Sequence, residues 1–330
     1  ELFRTTLPVD AVFLNLSPPD EHGYCSFGIS VDYSKPAAME AELVIAQINP
    51  SMPRTLGDSF IHISDIDYIV EADTPLIELP PAGISEVERA IGKNCASLIE
   101  DGDTLQLGIG AIPDAVLGFL KEKKDLGIHS EMISDGIVEL YEGGVITNRR
   151  KSLHAGKSIV TFLMGTRKLY DFADNNPAVE LHPVDYVNDP YVIAQNERLV
   201  SVNSCVQVDL MGQIVSASVG RRQISGVGGQ VDFVRGANMS RGGKSIMAMP
   251  STAAEGRISK IVPVIGEGAA VTTSRYDADY IVTEYGAARL KGESLRNRAK
   301  MLIRIAHPDF RRMLAEEYEK RFREAWSDDE

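Results

Sequence analysis

The sequence has 330 residues, of which 44% are apolar and 25% are charged, and it carries a formal net charge of −13 with a pI near 5.0. These values are typical of a globular protein large enough for two domains, and the negative charge disfavours nucleic acids and anionic membrane surfaces as partners. No apolar run reaches the ~20 residues of a membrane-spanning helix, and no signal-peptide pattern opens the chain. Three widely spaced cysteines, and histidines without ligand spacing, predict neither a disulfide framework nor a metal site, so a reducing cytoplasm is the expected location.

The first 83 residues have the pattern of an α/β domain. Apolar runs at 11–16, 43–48 and 68–70 alternate with glycine, proline and aspartate, and the PPAG segment at 80–83 ends this pattern. Ser85 and Glu88 then have the spacing of a capping box, at the start of a helix that runs to about Leu98. We therefore predict an N-terminal domain at 1–83 and a C-terminal domain at 84–330. Because a strand follows so soon after Glu1, we expect the first domain to be N-terminally incomplete.

A strand–helix–strand unit follows the predicted boundary. Residues 104–110 predict a strand and a glycine turn, residues 111–124 have helical spacing, and a second apolar run at 126–128 leads to Glu131 in the segment EMISDG. In a right-handed βαβ unit both strands end at the same edge of the sheet, so Glu131 and the turn of Gly108 and Gly110 should face one crevice. A carboxylate in this place is either a capping anion or a nucleophile. His129, on the same strand face, is a candidate neighbour.

The rest of the chain continues the α/β pattern. Strands are predicted at 158–163, 199–202, 214–217, 261–264, 270–273 and 280–282, and a turn-rich stretch at 171–190. Residues 295–323 predict an amphipathic helical region that is interrupted at His307 and Pro308 and packs on the sheet.

Two glycine-containing segments are candidate ligand loops. The turn of Gly108 and Gly110 precedes a helix, whose N-terminal amides favour a phosphate or an oxyanion, although the same pattern also fits a tight turn without a ligand. The segment 226–243 is more specific, because glycines at 226, 228 and 229 suggest close approach to the backbone. Its cations (Arg235, Arg241 and Lys244) make it a cationic loop suited to a polyanion such as a nucleotide; a solvated loop with ordinary surface charges is the alternative.

Nucleophiles of other classes have little support. Cys205 has no adjacent cationic partner, so an inert core cysteine is the expected role. The sequence contains no GxSxG elbow for a serine hydrolase.

Four segments, taken together and in order, resemble the acetyl-CoA hydrolase/transferase family. They are 131–136, 226–237 with Gly243 and Lys244, 262–275, and 282–286. Within that family the chain is most similar to the 4-hydroxybutyrate and butyrate:acetate CoA-transferases. The resemblance implies two open α/β domains of the NagB/RpiA/CoA-transferase type, with the first domain beginning before residue 1. It also implies coenzyme A or acyl-CoA and a short-chain carboxylate as substrates, without a permanently bound cofactor. A homo-oligomer is the default expectation for an enzyme of this size.

The resemblance also assigns site residues by position. The family's catalytic glutamate falls on Glu131, which would form an acyl-glutamyl anhydride and then a glutamyl-CoA thioester, with ping-pong kinetics. Backbone contacts to the acyl oxyanion and to CoA fall on Leu107, Gly108 and Gly110 and on Gly226, Gly228 and Gly229. Gln106, Asn203 and Lys244 are weaker candidates for polar groups of the pocket.

Three alternatives remain open from the sequence. An acyl-CoA hydrolase would use the same nucleophile and differ only in the access of water. A non-catalytic CoA-binding protein would keep the loops without the chemistry. A sugar-phosphate isomerase of similar fold is less favoured, because it leaves the glycine-rich segment after residue 225 unexplained.

Overall fold

The structure is a computed structural model that describes residues 2–327 and consists of short strands, in parallel and antiparallel pairs, with helices between them. The strands are β1 (Ala11–Leu16), β2 (Tyr24–Ser26), β3 (Leu43–Ile48), β4 (Leu56–Gly57), β5 (Phe60–His62), β6 (Tyr68–Glu71), β7 (Thr104–Leu107), β8 (Gly127–Ile128), β9 (Met132–Ile133), β10 (Ser158–Val160), β11 (Phe162–Leu163), β12 (Val179–Leu181), β13 (Leu199–Ser204), β14 (Gln207–Asp209), β15 (Ile214–Val215), β16 (Ser218–Val219), β17 (Arg222–Gln223), β18 (Lys244–Ala248), β19 (Thr252–Ala253), β20 (Ile258–Ser259), β21 (Ile261–Val262), β22 (Tyr280–Thr283) and β23 (Gly286–Arg289). The α-helices are α1 (Leu2–Thr5), α2 (Ser34–Glu40), α3 (Glu86–Ser97), α4 (Ala111–Gly118), α5 (Asp135–Glu142), α6 (Arg167–Ala173), α7 (Val184–Val187), α8 (Pro190–Ala194), α9 (Gln230–Met239), α10 (Leu295–Arg304) and α11 (Pro308–Phe322), and one 3-10 helix spans Ile63–Asp65. No helix among residues 2–327 has the length and apolar character needed to cross a bilayer.

The chain divides into two compact units that interleave along the sequence. The first unit contains the segments up to Pro81, Asp101–Leu107 and Lys123–Asn196, and the second contains Ala82–Glu100, Gly108–Glu122 and the chain from Glu197 onward. This grouping differs from the predicted linear split into 1–83 and 84–330. The reason is non-local pairing, because β12 pairs with β4 and Phe162 forms a bridge with Ser30. A linear reading of local patterns does not detect such contacts.

The first unit opens with a parallel sheet in the order β1, β3, β6. Its register aligns Phe13 with Ile45 and Ile45 with Tyr68. Alternation along β1 buries Leu14 and Leu16, whereas Phe13 points away from the core and is exposed.

Residues 127–133 of the first unit form an interrupted strand. Its first part, β8, pairs in parallel with β7, and its last part, β9, pairs in parallel with β11. Between them His129 forms a single parallel bridge with Ile159. Glu131 therefore lies in the gap between two short strands, at the place where the pairing partner changes.

In the second unit β13, β18 and β22 run parallel to one another, and β23 pairs antiparallel with β22. Helices α10 and α11 cover a core in which Tyr318 is fully buried. Helices α3 and α4 pack closely, because Gly92 of α3 leaves room for the backbone of Ala115.

Several predicted elements are confirmed. Strands β1 and β3 have the predicted bounds, and β22 contains the predicted residues 280–282. The capping box of Ser85 and Glu88 is present at the start of α3. The C-terminal helical region is interrupted as predicted, and His307 caps α11 by accepting a hydrogen bond from the Asp309 N–H.

Other predicted elements are wrong. The helix predicted at 111–124 ends at Gly118, a residue of low helix propensity. Residues 270–273 form no strand; only Thr273 bridges to Ile214. The turn-rich stretch 171–190 contains β12 and α7, and the glycine-rich stretch 226–243 contains α9. Packing overrides weak local preferences in these segments.

Candidate active site

Glu131 is held by its backbone in the strand gap of the first unit. Its carbonyl oxygen accepts hydrogen bonds from the N–H groups of Thr161, at 2.9 Å, and Phe162, at 3.1 Å. Its side chain is half-buried. The backbone is thus fixed on one side by the neighbouring chain segment, while the carboxylate remains partly accessible.

One side chain orients the Glu131 carboxylate. Asn188 Nδ2 donates a hydrogen bond to Glu131 Oε2 at 2.7 Å. Asn188 is the C-cap residue of α7, its own N–H donates to the Val184 carbonyl at 2.9 Å, and only 9% of its surface is exposed. Because the amide is neutral, it directs the carboxylate without cancelling its charge.

Asp32 is a second carboxylate, close enough to Glu131 for the two charges to interact. Burial raises the pKa of Asp32, and the charge of Glu131 raises it further. The residue has a φ of 34°, and its backbone donates to the Thr161 carbonyl at 3.3 Å and accepts from the Val184 N–H at 3.1 Å. Asp32 is therefore anchored to the segments that also carry the contacts of Glu131.

His129 lies two residues before Glu131 and is completely buried. Its Nε2 is 2.9 Å from the Val187 carbonyl oxygen, which belongs to the residue preceding Asn188. Burial, reinforced by the nearby Lys151, lowers the pKa of His129 to about 3. The imidazole is therefore neutral at physiological pH, and because a carbonyl only accepts, Nε2 carries the proton.

Leu107 and Gln106 lie at the end of β7 and are buried. Ser130 Oγ donates to the Leu107 carbonyl at 3.1 Å and accepts from the Leu107 N–H at 3.3 Å. The Leu107 amide, one of the predicted backbone contacts, is thus directed at Ser130 in this structure.

The remaining predicted backbone contacts belong to the second unit. Gly110 is the N-cap of α4 with a φ of 107°, and Gly228 has a φ of 59°, so both have backbone conformations that favour glycine. A Cβ added at Gly108, Gly110, Gly226 or Gly228 would meet no other atom within 4 Å. Internal crowding therefore does not explain these four glycines. Gly229 is the N-cap of α9.

The predicted cationic loop is wrong in its local structure. Arg235 lies on α9 and is 3.7 Å from Asp277, and Arg241 is 3.5 Å from Glu197. Lys244 begins β18, and its Nζ donates to the Leu98 carbonyl at 2.8 Å and pairs with Glu100 at 3.1 Å. All three cations therefore have carboxylate partners.

Cys205 is buried, and burial raises the pKa of its thiol to about 11, as expected for a core cysteine. Asn203, another candidate, lies on β13. Within residues 2–327 no three or more His, Cys, Asp and Glu side chains form a group able to hold a metal ion.

Sequence reasoning missed Asp32 and Asn188. Asn188 precedes Asp189 and Pro190, a pattern that indicates a turn and not a site residue. Asp32 lies about 100 residues from Glu131 in the sequence, and no local signal joins them. The structure brings these two residues and His129 to Glu131 in the first unit.

Comparison with known proteins shows the family. The model of the acetyl-CoA hydrolase/transferase N-terminal domain matches residues 3–79, and the model of the C-terminal domain matches residues 165–318. The 4-hydroxybutyrate coenzyme A transferase of Clostridium kluyveri is 68% identical over 316 residues, which cover 96% of this chain and 74% of that protein. The succinyl-CoA:cyclohexane-1-carboxylate CoA transferase of Geobacter metallireducens is 51% identical and covers 96% of this chain and 72% of that protein.

A solved structure is also similar. The 4-hydroxybutyrate CoA-transferase of Porphyromonas gingivalis has a TM-score of 0.89 at 51% identity, and the match covers 97% of this chain and 78% of that one. These matches confirm both the resemblance inferred from the sequence and the α/β fold class. The chain therefore belongs to the acetyl-CoA hydrolase/transferase family, as one of its CoA-transferases.

Proposed function

We propose that this CoA-transferase moves CoA from acetyl-CoA, or another short acyl-CoA, to a short-chain carboxylate such as 4-hydroxybutyrate or butyrate, with Glu131 as the nucleophile. The contacts of the Glu131 side chain support this proposal. Its Oε2 accepts a hydrogen bond from the neutral Asn188 amide, and it forms no salt bridge with a cation among residues 2–327. A carboxylate that is oriented but keeps its charge can attack a thioester carbonyl without a general base.

The first half-reaction loads CoA onto the enzyme. A Glu131 oxygen attacks the acyl carbon, the C–S bond breaks, and CoA leaves as a thiolate, which gives an acyl-glutamyl anhydride. The thiolate then attacks the glutamyl carbonyl carbon, and the donor acid leaves as a carboxylate. Glu131 is now a glutamyl-CoA thioester.

The second half-reaction runs the same steps in reverse with the acceptor. The acceptor carboxylate attacks the glutamyl thioester and displaces the CoA thiolate, which then attacks the acceptor acyl carbon and releases the Glu131 carboxylate. No proton is transferred overall. Because the donor acid leaves the glutamyl-CoA enzyme before the acceptor reacts, ping-pong kinetics are expected. Water must be excluded, because it would hydrolyse both intermediates.

Backbone groups of the glycine segments are proposed to bind CoA and the tetrahedral oxyanions. The absence of neighbours around Gly108, Gly110, Gly226 and Gly228 supports this role, because a ligand can approach those backbones. Each oxyanion donor is typically worth ~3 kcal/mol in the transition state. Leu107, Gly229 and Lys244 complete the proposed set with less support, since the amide of Leu107 and the ammonium of Lys244 already have protein partners.

The test replaces Glu131 by glutamine. We expect Glu131→Gln to lower CoA exchange between acetyl-CoA and a panel of short carboxylates by at least about 10³-fold, because the amide is a poor nucleophile. Binding of CoA, measured by calorimetry, should persist. The matched control is Glu142→Gln, which neutralises an exposed carboxylate at the end of α5 and should leave exchange unchanged.

Mass spectrometry of the products separates the alternatives. A transferase forms the new acyl-CoA and releases CoA from acetyl-CoA only when a carboxylate acceptor is added, whereas a hydrolase releases it in water alone. Borohydride reduction after addition of acyl-CoA should trap the glutamyl thioester at residue 131. Exchange that survives in Glu131→Gln would remove this residue from the mechanism.

A further inference from the structure

His129 and Glu131 contact the same end of helix α7. Both residues lie in the gap between β8 and β9, and they contact two consecutive residues, Val187 and Asn188. Ser130 lies between them, and its Oγ bonds instead to the Leu107 backbone.

The contacted helix, α7, depends on outside anchors. It has four residues, and so short a helix is not stable by itself. The last carbonyls of a helix have no partner within the helix, and the Val187 carbonyl is satisfied by His129 Nε2 at 2.9 Å. At the other end of α7 the Val184 N–H donates to the Asp32 carbonyl at 3.1 Å.

The Nε2–H group of His129 remains a hydrogen-bond donor around neutral pH. The imidazole is fully buried, and it lies near Lys151, whose Nζ donates to the carbonyl of Ile128 at 2.8 Å. Burial lowers the pKa of His129 to about 3, so the ring stays neutral and the tautomer is fixed by the Val187 carbonyl. The interaction therefore does not switch off as the pH varies around neutrality.

We propose that His129 is a positioning residue, which holds the C-terminal end of α7 so that Asn188 donates its hydrogen bond to Glu131 Oε2. The inference rests on the proposed nucleophilic role of Glu131. His129 itself touches no reacting atom. It acts through Val187 and Asn188, and without it the Asn188 amide would lose its fixed distance to the carboxylate.

The test is a double-mutant cycle with a conservative rescue. His129→Leu keeps apolar bulk but removes the donor, and we expect kcat for CoA exchange to fall about 10- to 100-fold, because a misplacement of a reacting group by about 1 Å can cost about 100-fold. KM for acyl-CoA should stay within about twofold, because CoA binding is not affected. His129→Gln, which offers an N–H donor, should restore kcat to within about fivefold of the wild type.

The cycle distinguishes positioning from a purely structural role. In an Asn188→Ala background, His129→Leu should cost less than about twofold, because there is no longer an amide to position. Thermal denaturation of all four proteins, which establishes that they are folded, accompanies the kinetics. Equal losses from His129→Leu in both backgrounds, or no rescue by His129→Gln, would overturn the positioning role.

Failure of this inference is distinct from failure of the proposed function. Additive losses together with an inactive Glu131→Gln protein would overturn only the role of His129. An active Glu131→Gln protein would overturn both, because there would be no nucleophile for His129 to serve.

Discussion

Two carboxylates, Glu131 and Asp32, lie in electrostatic contact, and only one of them receives the Asn188 amide. Burial and the Glu131 charge raise the pKa of Asp32. This asymmetry favours Glu131 over Asp32 as the proposed nucleophile. At a pH above its raised pKa, Asp32 is a negative charge close to the position proposed for an incoming carboxylate.

Asp32→Asn should improve the use of the acceptor acid. Asparagine tolerates the left-handed backbone of this position and removes the charge. The acceptor is an anion, so we expect its KM to fall about two- to fivefold at pH 8 and low ionic strength, with a smaller change in kcat. Steady-state kinetics with varied acetate and fixed acyl-CoA would measure this change.

Salt and pH provide the controls for this prediction. Added salt should shrink the difference between the two proteins, because it screens charges that are not fully buried. The difference should also shrink as the pH falls below the raised pKa of Asp32, since the wild-type side chain is then itself neutral. A KM that stays equal in both proteins at every salt concentration would rule out the electrostatic effect.

At the scale of elements, the packing of α3 on α4 depends on one glycine. A Cβ at Gly92 would lie 2.7 Å from the Ala115 Cβ and 2.8 Å from the Ala115 carbonyl carbon. These atoms belong to a facing helix and cannot move as a flexible side chain can. The absence of a side chain at position 92 therefore sets the distance between the two helices.

Gly92→Ala should destabilise the protein by about 1–3 kcal/mol, the usual cost of overpacking. The matched control is Gly118→Ala in α4, where a Cβ would meet nothing within 4 Å. Alanine is the better helix former, so the control should be neutral or stabilising by up to about 1 kcal/mol. Urea denaturation of both variants would measure the free energies, and equal effects would contradict the close approach of the helices.

Element boundaries could be predicted where the local signal was strong. The alternation and apolar runs of β1 and β3, and the capping box of α3, each depend on residues within a few positions of one another. Helix α7 could not be predicted in this way. It has one turn and no apolar periodicity, and its position comes from bonds to His129 and Asp32, which are far away in the sequence.

At the scale of the whole molecule, the sequence predicted a role for Glu131 but not the surroundings of its side chain. The segment around residue 131 is local and recognisable, whereas Asp32 and Asn188 approach it through the tertiary structure. The expected crevice shared by Glu131 and the glycine turn stays a prediction, since Gly108 and Gly110 belong to the second unit. Lys244 was predicted as part of a cationic ligand loop, but in the structure its ammonium pairs with the carboxylate of Glu100. The sequence pattern could not reveal this internal partner.

A buried amine connects the site region to the stability of the protein. Lys151 is 4% exposed, and its Nζ donates to the carbonyls of Ile128, at 2.8 Å, and Lys157, at 2.7 Å. Two acceptors match the two N–H groups of a neutral amine. Burial lowers the pKa of Lys151 from its ordinary value of 10.5 to about 7.

The lowered pKa makes stability depend on pH in a defined window. Between pH 10.5 and 7 the unfolded chain binds a proton at Lys151 that the folded protein does not bind. The free energy of unfolding therefore decreases as the pH falls through this range, and below about pH 7 this group causes no further change.

Lys151→Met removes this dependence of stability on pH. We expect the stability of the wild type relative to the variant to rise by roughly 2–4 kcal/mol from pH 7 to pH 10, on top of a constant offset from the lost hydrogen bonds. Urea denaturation across this range would measure the difference, and Lys168→Met, which removes a more exposed ammonium, should show no such slope. Parallel curves for the wild type and Lys151→Met would mean that the buried amine keeps its proton in the folded protein.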